Sequence, residues 1–302
     1  MKKILITGAA GFVAPYLAKE LEKSNYEIFY AEYPTKENKI NHFLLDITDK
    51  IAVFDLIKKI KPDFIVHLAG FSSIFKSFTE PEECRKINVD GTRNILDALV
   101  KYAPKCRTLI VSSIHVYGSP CYSPVDEKHP LNANSPYAES RIGQEKLINE
   151  YDLDILISRS TNHTGPGQKG FVIGDFCKQI VDIERGLKEP VIYAGNLSTK
   201  KDFLDVRDVV KAYKLIIEKG KTENIYNISS GKNISIEKLL KKLIDQSKVK
   251  NIEIKINKKI YRTDDTKEFI IDNTKIKSLG WKTTYSINTT LKDTLDELRK
   301  FY

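Results

Sequence analysis

Ile4-Leu5-Ile6-Thr7-Gly8-Ala9-Ala10-Gly11-Phe12-Val13-Ala14 runs from a short β-rich apolar segment through a glycine turn into a helical pattern. Strand, turn and helix in that order are the setting of a loop that cradles the pyrophosphate of a dinucleotide. Gly8 permits the tight turn, Gly11 lets backbone amides approach, and the helix N-terminus behind Phe12 and Val13 supplies positive potential. Ala14 stands where such loops often carry a third glycine, and a methyl is tolerated there. Glycine spacing alone would fit any strand–helix turn; its place directly after the first strand is what gives it weight.

Outward from this loop, the first half alternates short β-rich runs with longer stretches of helical period. Strands are expected near Ile4–Thr7, Glu27–Ala31, Phe64–Leu68, Thr108–Ser112 and Ile155–Arg159, and helices near Gly11–Lys23, Lys50–Lys59, Pro81–Tyr102 and Pro136–Tyr151. That alternation predicts an α/β fold, a Rossmann-type doubly wound parallel sheet, with a smaller C-terminal substrate-binding domain. The boundary is expected between a cofactor domain at 1–162 and a substrate domain at 163–302, with 203–228 returning to the first. Further helices are expected at Phe171–Arg185 and Val206–Glu218, with a β-like run at Pro190–Tyr193.

Glu32 ends the second strand about twenty residues after the loop, where a carboxylate accepts from the adenosine ribose and repels a 2′-phosphate. NAD(H) is therefore expected over NADP(H). Asp46 and Ile47 at the next strand end are placed to receive the adenine. Leu68, Ala69 and Gly70, after His67, lie on the expected cofactor path; His67 itself reads as a satisfied core histidine.

The 302 residues can bury a sizeable core without disulfide or metal. A net charge of +9 comes from lysines spread along the chain among interleaved acids. This favours anionic small molecules and argues against nucleic acid as partner. The four cysteines lie far apart with no CxxC pair, no secretory leader is read, and no apolar run reaches membrane-spanning length. A cytoplasmic protein with reduced thiols and no membrane contact is expected.

Ser112-Ser113-Ile114-His115-Val116-Tyr117-Gly118 closes the fourth strand, and Ser135-Pro136-Tyr137-Ala138-Glu139-Ser140-Arg141 opens the next helix. Tyr137 and Arg141, four apart, share one helical face, so the cation favours the phenolate. Ser113 across the cleft can hydrogen-bond the reacting oxygen, and together the three form a proton relay.

With these residues the chain resembles an extended short-chain dehydrogenase/reductase of the nucleotide-sugar epimerase/dehydratase group, over nearly its full length. It is most similar to GDP-4-keto-6-deoxy-mannose reductases and GDP-mannose 4,6-dehydratases. Two stretches carry that likeness: Arg159-Ser160-Thr161-Asn162-His163-Thr164-Gly165-Pro166-Gly167-Gln168 and Gly195-Asn196-Leu197-Ser198-Thr199-Lys200-Lys201-Asp202-Phe203-Leu204-Asp205-Val206-Arg207-Asp208. The resemblance implies Ser113 and Tyr137 as catalytic hydroxyls, with Asn162 under the substrate pyrophosphate. It implies Phe171, Val172 and Lys178 along the nucleotide pocket, Arg262 clamping diphosphate and Asp265 on the ribose. It also implies a homodimer or homotetramer built through the helices at Pro81–Tyr102 and Pro136–Tyr151, with Leu147, Ile148 and Tyr151 supplying apolar area.

Two departures set expectations apart from the family pattern. Arg141 replaces the lysine of Tyr-x-x-x-Lys, keeping the charge with a different reach. Ile114 and His115 stand where 4,6-dehydratases carry an acid pair, and an isoleucine can neither take the C5 proton nor expel the C6 hydroxyl. His115 remains open as acid/base, substrate contact or packing residue. The reading is NAD(H)-dependent hydride transfer at C4 of a GDP-linked manno-configured hexose or heptose, with no metal. The alternatives are a C4 epimerase retaining NAD and a degenerate nucleotide sensor. Titration of the stripped protein is expected to show tighter binding of NAD(H) than of NADP(H); equal or reversed affinities would remove Glu32 from the ribose site.

Overall fold

The computed structural model describes residues 1–33, 39–259 and 268–300. In chain order its first half contains Lys2–Thr7 (β1), Ala14–Leu21 (α1), Tyr26–Glu32 (β2), His42–Leu44 (β3), Lys50–Ile60 (α2), Phe64–His67 (β4), Ile74–Ser77 (α3), Pro81–Arg85 (α4), Gly91–Tyr102 (α5), Arg107–Ser113 (β5), Pro136–Lys146 (α6), Ile155–Ser160 (β6) and Asn162–Thr164 (β7). The second half contains Val172–Glu184 (α7), Val191–Ala194 (β8), Lys200–Lys201 (β9), Phe203–Asp205 (β10), Val206–Lys219 (α8), Ile225–Ile228 (β11), Ile234–Ser235 (β12), Ile236–Ile244 (α9), Glu253–Ile256 (β13), Thr274–Ser278 (α10) and Ile287–Lys300 (α11).

Among the described residues seven parallel strands form one sheet in the order β11-β6-β5-β4-β1-β2-β3. The order reverses between β1 and β4, which opens a crevice at the strands' C-terminal ends. Strand periodicity explains how one short run serves two cores. Ile4 and Ile6 face α1 and α8, in the cluster with Leu17, Val209 and Tyr213. Leu5 between them faces α2 and α5, with Val53, Ile57, Ile95 and Leu99. Such a sheet is buried on both faces, and all six residues of β6 are buried.

A third cluster joins α7, β8, α9 and α11 through Ile180, Ile192, Leu239 and Leu291, apart from the sheet. Helix α8 and strand β11 pack into the main-sheet layers. So does Trp281, far along the chain, whose indole Nε1 donates to the Asp208 carbonyl at 2.9 Å. No helix among the described residues is long and apolar enough to cross a membrane.

Three sequence expectations need correction. The first helix begins at Ala14, leaving residues 11–13 in the loop. The Pro81–Tyr102 helix contains a π-helical turn at Lys86–Asp90. Asn88 within it turns its side chain to both backbone groups of Phe71, accepting from the amide at 2.8 Å and donating to the carbonyl at 3.2 Å. Finally, Leu147 is 1% exposed inside the second core. Ile148 and Tyr151 pack against that core, and the Tyr151 hydroxyl donates to Asp97 at 2.6 Å. Leu147 is thus committed within the protomer, while Ile148 and Tyr151 stay half-buried at its edge.

A buried ion pair ties the active strands together. Arg159 on β6 donates through Nη2 to Glu145 on α6 at 2.6 Å, and the Ser112 hydroxyl on β5 donates to the same carboxylate at 2.5 Å. Glu145→Ala is expected to lower unfolding free energy by about 3 kcal/mol or more by orphaning a buried guanidinium. The paired change Glu145→Leu with Arg159→Met is expected to recover most of that loss in urea unfolding. Equal losses for the single and the paired change would show that the charge pairing is not what counts.

Candidate active site

A cavity of about 1770 Å³ opens at the C-terminal ends of the sheet strands. Gly8, Gly11, Phe12, Val13, Asp46, Ile47, Leu68, Ala69 and Gly70 all line it. Gly8 has φ +70°, and a β-carbon there would lie 2.6 Å from the Ala69 nitrogen, so only glycine fits. The Gly11 amide closes the turn onto the Gly8 carbonyl at 3.0 Å. Helix α1 then starts with no side-chain cap, leaving first-turn amides for an anion. The Ala14 methyl is buried in the core beneath the loop.

Glu32 stands differently from expectation. It ends β2, but its carboxylate lies 2.9 Å from His42 Nδ1, and the neighbouring Tyr33 rather than Glu32 lines the cavity. β2 and β3 run side by side and place Tyr30 opposite His42, whose ring stacks on Tyr30 at 4.3 Å. A pairing between two strands could not be read from Glu32 alone.

Ser113 at the end of β5 and Tyr137 and Arg141 on α6 line the same cavity. Ser135 caps α6 by accepting from the Ala138 amide, and the Tyr137 amide donates to Ser77 Oγ at 3.2 Å. The Arg141 guanidinium carbon sits 5.2 Å from the centre of the Tyr137 ring. His115 presents its ring edge-on to Tyr137 at 6.2 Å, and its amide donates to Ser113 Oγ at 3.3 Å.

Beneath these groups runs a buried polar chain whose donors can be assigned. Thr92 Oγ1 donates to the Asn88 carbonyl at 2.7 Å, so it accepts from Gln144 Nε2 at 2.7 Å and from His67 Nε2 at 3.0 Å. His67 Nδ1 is then the acceptor for the Thr7 hydroxyl at 2.6 Å, and Thr7 Oγ1 accepts the Ala69 amide at 3.2 Å. Burial, with the Arg141 charge adding to it, pushes the His67 imidazole down to about 3, which agrees with a neutral ring in one tautomer.

Asn162 lies on β7, its amide donating to the Asp202 carbonyl at 3.0 Å. Phe171 and Val172 open α7 and line the cavity, as does Lys178, whose ammonium bonds Asp182 at 2.9 Å. Arg262 and Asp265 lie outside the described residues. Two cavity residues escaped sequence reasoning. Burial pushes His163 down to about 4, and among the described residues its Nδ1 has no partner. Burial pushes the Asp202 carboxyl up to about 6, against amide hydrogen bonds from Ser230 and Gly231. The signal for His163 was its place beside Asn162, on a strand of three residues too short to show a period.

The lining fits a dinucleotide. Gly8 leaves a cradle that a β-carbon would fill, and Arg141 Nε, like His163 Nδ1, is a buried polar atom without a protein partner among the described residues. Unpaired buried polar atoms are costly, and ribose hydroxyls or a carboxamide would complete them.

A phosphate loop at the sheet's switch point, facing a serine, a tyrosine and a cation, defines an enzyme of the short-chain dehydrogenase type. Over residues 5–294 the chain matches the family described as GDP-mannose 4,6 dehydratase. It is 30% identical over 249 residues to a GDP-6-deoxy-D-mannose reductase of Pseudomonas aeruginosa, covering 80% of this chain and 79% of that protein. The structure of RMD from Pseudomonas aeruginosa complexed with NADPH superposes with a TM-score of 0.89 at 28% identity, over 100% of both chains. A UDP-glucose 4-epimerase from Thermotoga maritima, solved with UDP-glucose, gives 0.84 at 26% identity over 99% of each. The chain belongs to the extended short-chain dehydrogenase/reductase family of NAD(P)-dependent nucleotide-sugar epimerases, dehydratases and reductases.

Because its value is held below the ordinary 6.5, His67 contributes stability that is whole above that pH and is lost as pH falls towards about 3. Nitrogen-15 NMR of the imidazoles is expected to show His67 as the Nε2–H tautomer from about pH 8 to about pH 5. Titration of that ring near its ordinary value would break the donor assignment.

Proposed function

We propose that the protein is an NAD(H)-dependent oxidoreductase acting at C4 of a GDP-linked manno-configured sugar, a hexose or a heptose. The observation that carries this reading is the convergence of Ser113, Tyr137 and Arg141 on one cavity wall, with an apolar Ile114 beside them. When bound, the nicotinamide gives or takes the hydride at C4. Tyr137 takes the proton from the C4 hydroxyl in oxidation, or returns it in reduction. Ser113 donates a hydrogen bond to that oxygen, and Arg141 holds positive charge against the phenol ring. The choice of NAD(H) rests on the place of Glu32 at the end of β2, where its carboxylate, paired with His42 Nδ1 at 2.9 Å, still sets negative charge behind Tyr33 of the cavity wall.

Asn162, Phe171, Val172 and Lys178 are assigned to the nucleotide-sugar, with Arg262 and Asp265 joining them by resemblance to the family. The P. aeruginosa reductase supports GDP as the nucleotide. The strongly basic chain suits a diphosphate substrate.

Ile114 speaks against dehydration. It is packed with Val116, Tyr117, Val125 and Ile271, so position 114 itself offers no base for the C5 proton. His115 has an imidazole that could take a proton, but loss of the C6 hydroxyl also needs a donor on the far side of the ring.

Incubation of a panel of GDP-sugars with NAD⁺ in deuterated water is expected to give a product two hydrogens lighter at C4 that keeps its C6 oxygen. Tyr137→Phe is expected to lower turnover by about two orders of magnitude. Solvent deuterium at C5 with loss of water would return the protein to the dehydratases. Inversion at C4 with no net change of redox state would make it an epimerase.

A further inference from the structure

An arginine at position 141 meets a constraint that a lysine escapes. An ammonium is a point charge with rotatable donors, whereas a guanidinium is a plane whose N–H groups are fixed in direction. Placing that plane correctly beside a phenol requires partners that hold it. Arg141 is held from three sides: Nη1 donates to the Val111 carbonyl at 3.1 Å and to Gln144 Oε1 at 2.9 Å, and Nη2 to the Phe71 carbonyl at 3.4 Å. Of these acceptors only Gln144 is a side chain.

We propose that Gln144 is the positioning residue that lets arginine occupy the site of the catalytic cation. The inference rests on the reading of Tyr137 and Arg141 as the proton relay, and it concerns how Arg141 is aimed. Gln144 is 0% exposed and one turn along α6 from Arg141. Its amide can be oriented only one way. Thr92 Oγ1 already donates to the Asn88 carbonyl, so the Gln144 NH₂ must point to Thr92 and its carbonyl oxygen to Arg141. The same Thr92 accepts from His67, which accepts from Thr7, the residue directly before Gly8. Position is thus passed from the phosphate loop to the guanidinium through fixed hydrogen bonds.

Gln144 also does this without cancelling charge. The nearby Arg159 is matched by the Glu145 carboxylate. Among the described residues the hydrogen-bond acceptors of Arg141 are two carbonyls and one neutral amide, so its charge stays available to the cavity. Gln144 contributes place, and Arg141 contributes charge.

The test is a double-mutant cycle read by NADH binding, through NADH fluorescence, with thermal unfolding as control. Gln144→Met keeps volume and removes both hydrogen bonds. It is expected to weaken NADH about tenfold or more, the scale of losing a hydrogen bond to a charged group. The emission of bound NADH is expected to move towards that of the free molecule. In the Arg141→Lys background the same change is expected to cost less than about twofold, because coupled residues are non-additive. Equal fold losses in both backgrounds, or unchanged NADH affinity in Gln144→Met, would overturn the role of Gln144. Should Gln144→Met fail to fold, Gln144→Glu serves instead: it keeps an acceptor for Arg141 but cancels its charge and has no N–H for Thr92 Oγ1. It is expected to weaken NADH about tenfold or more, and parent-like NADH binding would overturn the proposal. A parent protein that binds neither NADH nor NADPH would overturn the relay reading itself, an outcome distinct from additive losses.

Discussion

The backbone at Gly8 passes so close to Leu68 and Ala69 that a β-carbon there would meet three backbone atoms below 3.0 Å. That contact fixes the C-terminal ends of β1 and β4 against each other at the point where the sheet order reverses. The residue before the turn, Thr7, is fully buried, and its hydroxyl serves both the Ala69 amide and the His67 ring. A constraint that begins as backbone sterics therefore becomes a hydrogen-bonded coupling between the two strands that flank the crevice. From His67 the coupling reaches α5 through Thr92 and α6 through Gln144, and so the helix that carries Tyr137.

Two buried arginines, Arg141 and Arg159, are used in opposite ways. Desolvating a guanidinium is expensive, and the usual compensation is a carboxylate. Arg159 has one, together with the Tyr117 hydroxyl at 3.0 Å and the Glu127 carbonyl at 3.1 Å, and the result is a strut between β5, β6 and α6. The hydrogen bonds of Arg141 go to neutral groups, which recover hydrogen bonding but not charge. A cation so treated is costly for the fold and useful to chemistry, since its field falls on the phenol ring and the cavity. Both guanidiniums bond side chains of α6, one matched in charge by Glu145 and the other held by the neutral Gln144.

The glycine turn, the parallel sheet and the shared cavity wall of Tyr137 and Arg141 were legible because each is local: a strand next to a glycine turn, or two residues four apart on a helix. What stayed hidden was pairing over distance. Periodicity groups Leu147, Ile148 and Tyr151 as apolar area, but does not show that Leu147 is already taken up in the core with α5 and β6. Glu32 has the residue type and place of a ribose acceptor, yet the imidazole beside it comes from β3, ten residues on. Strands of two or three residues, β7, β9 and β10, are too short to carry an alternation, and they hold the cavity's far wall. Trp281 could not be tied to α8 by any pattern, because its partner is a backbone carbonyl.

The apolar wall at Ile114 is part of the fold and not an isolated substitution. Residues 118–134 turn back over it: Gly118 has φ +55° and lies directly against the Asn132 carbonyl, and Val125 forms a bridge with Ile271. Ile114 is 7% exposed within the cluster these residues build. A carboxyl placed at 114 would enter an apolar surrounding that disfavours its ionised form, and a carboxyl held neutral cannot take a proton from carbon. Dehydration would therefore need the neighbours of position 114 to change along with it, above all Val125 and Ile271, so that the charged form became affordable. The proposed chemistry at C4 asks only for a hydroxyl, a phenol and a cation, and side chains of those kinds are what the sheet ends and α6 bring to the cavity.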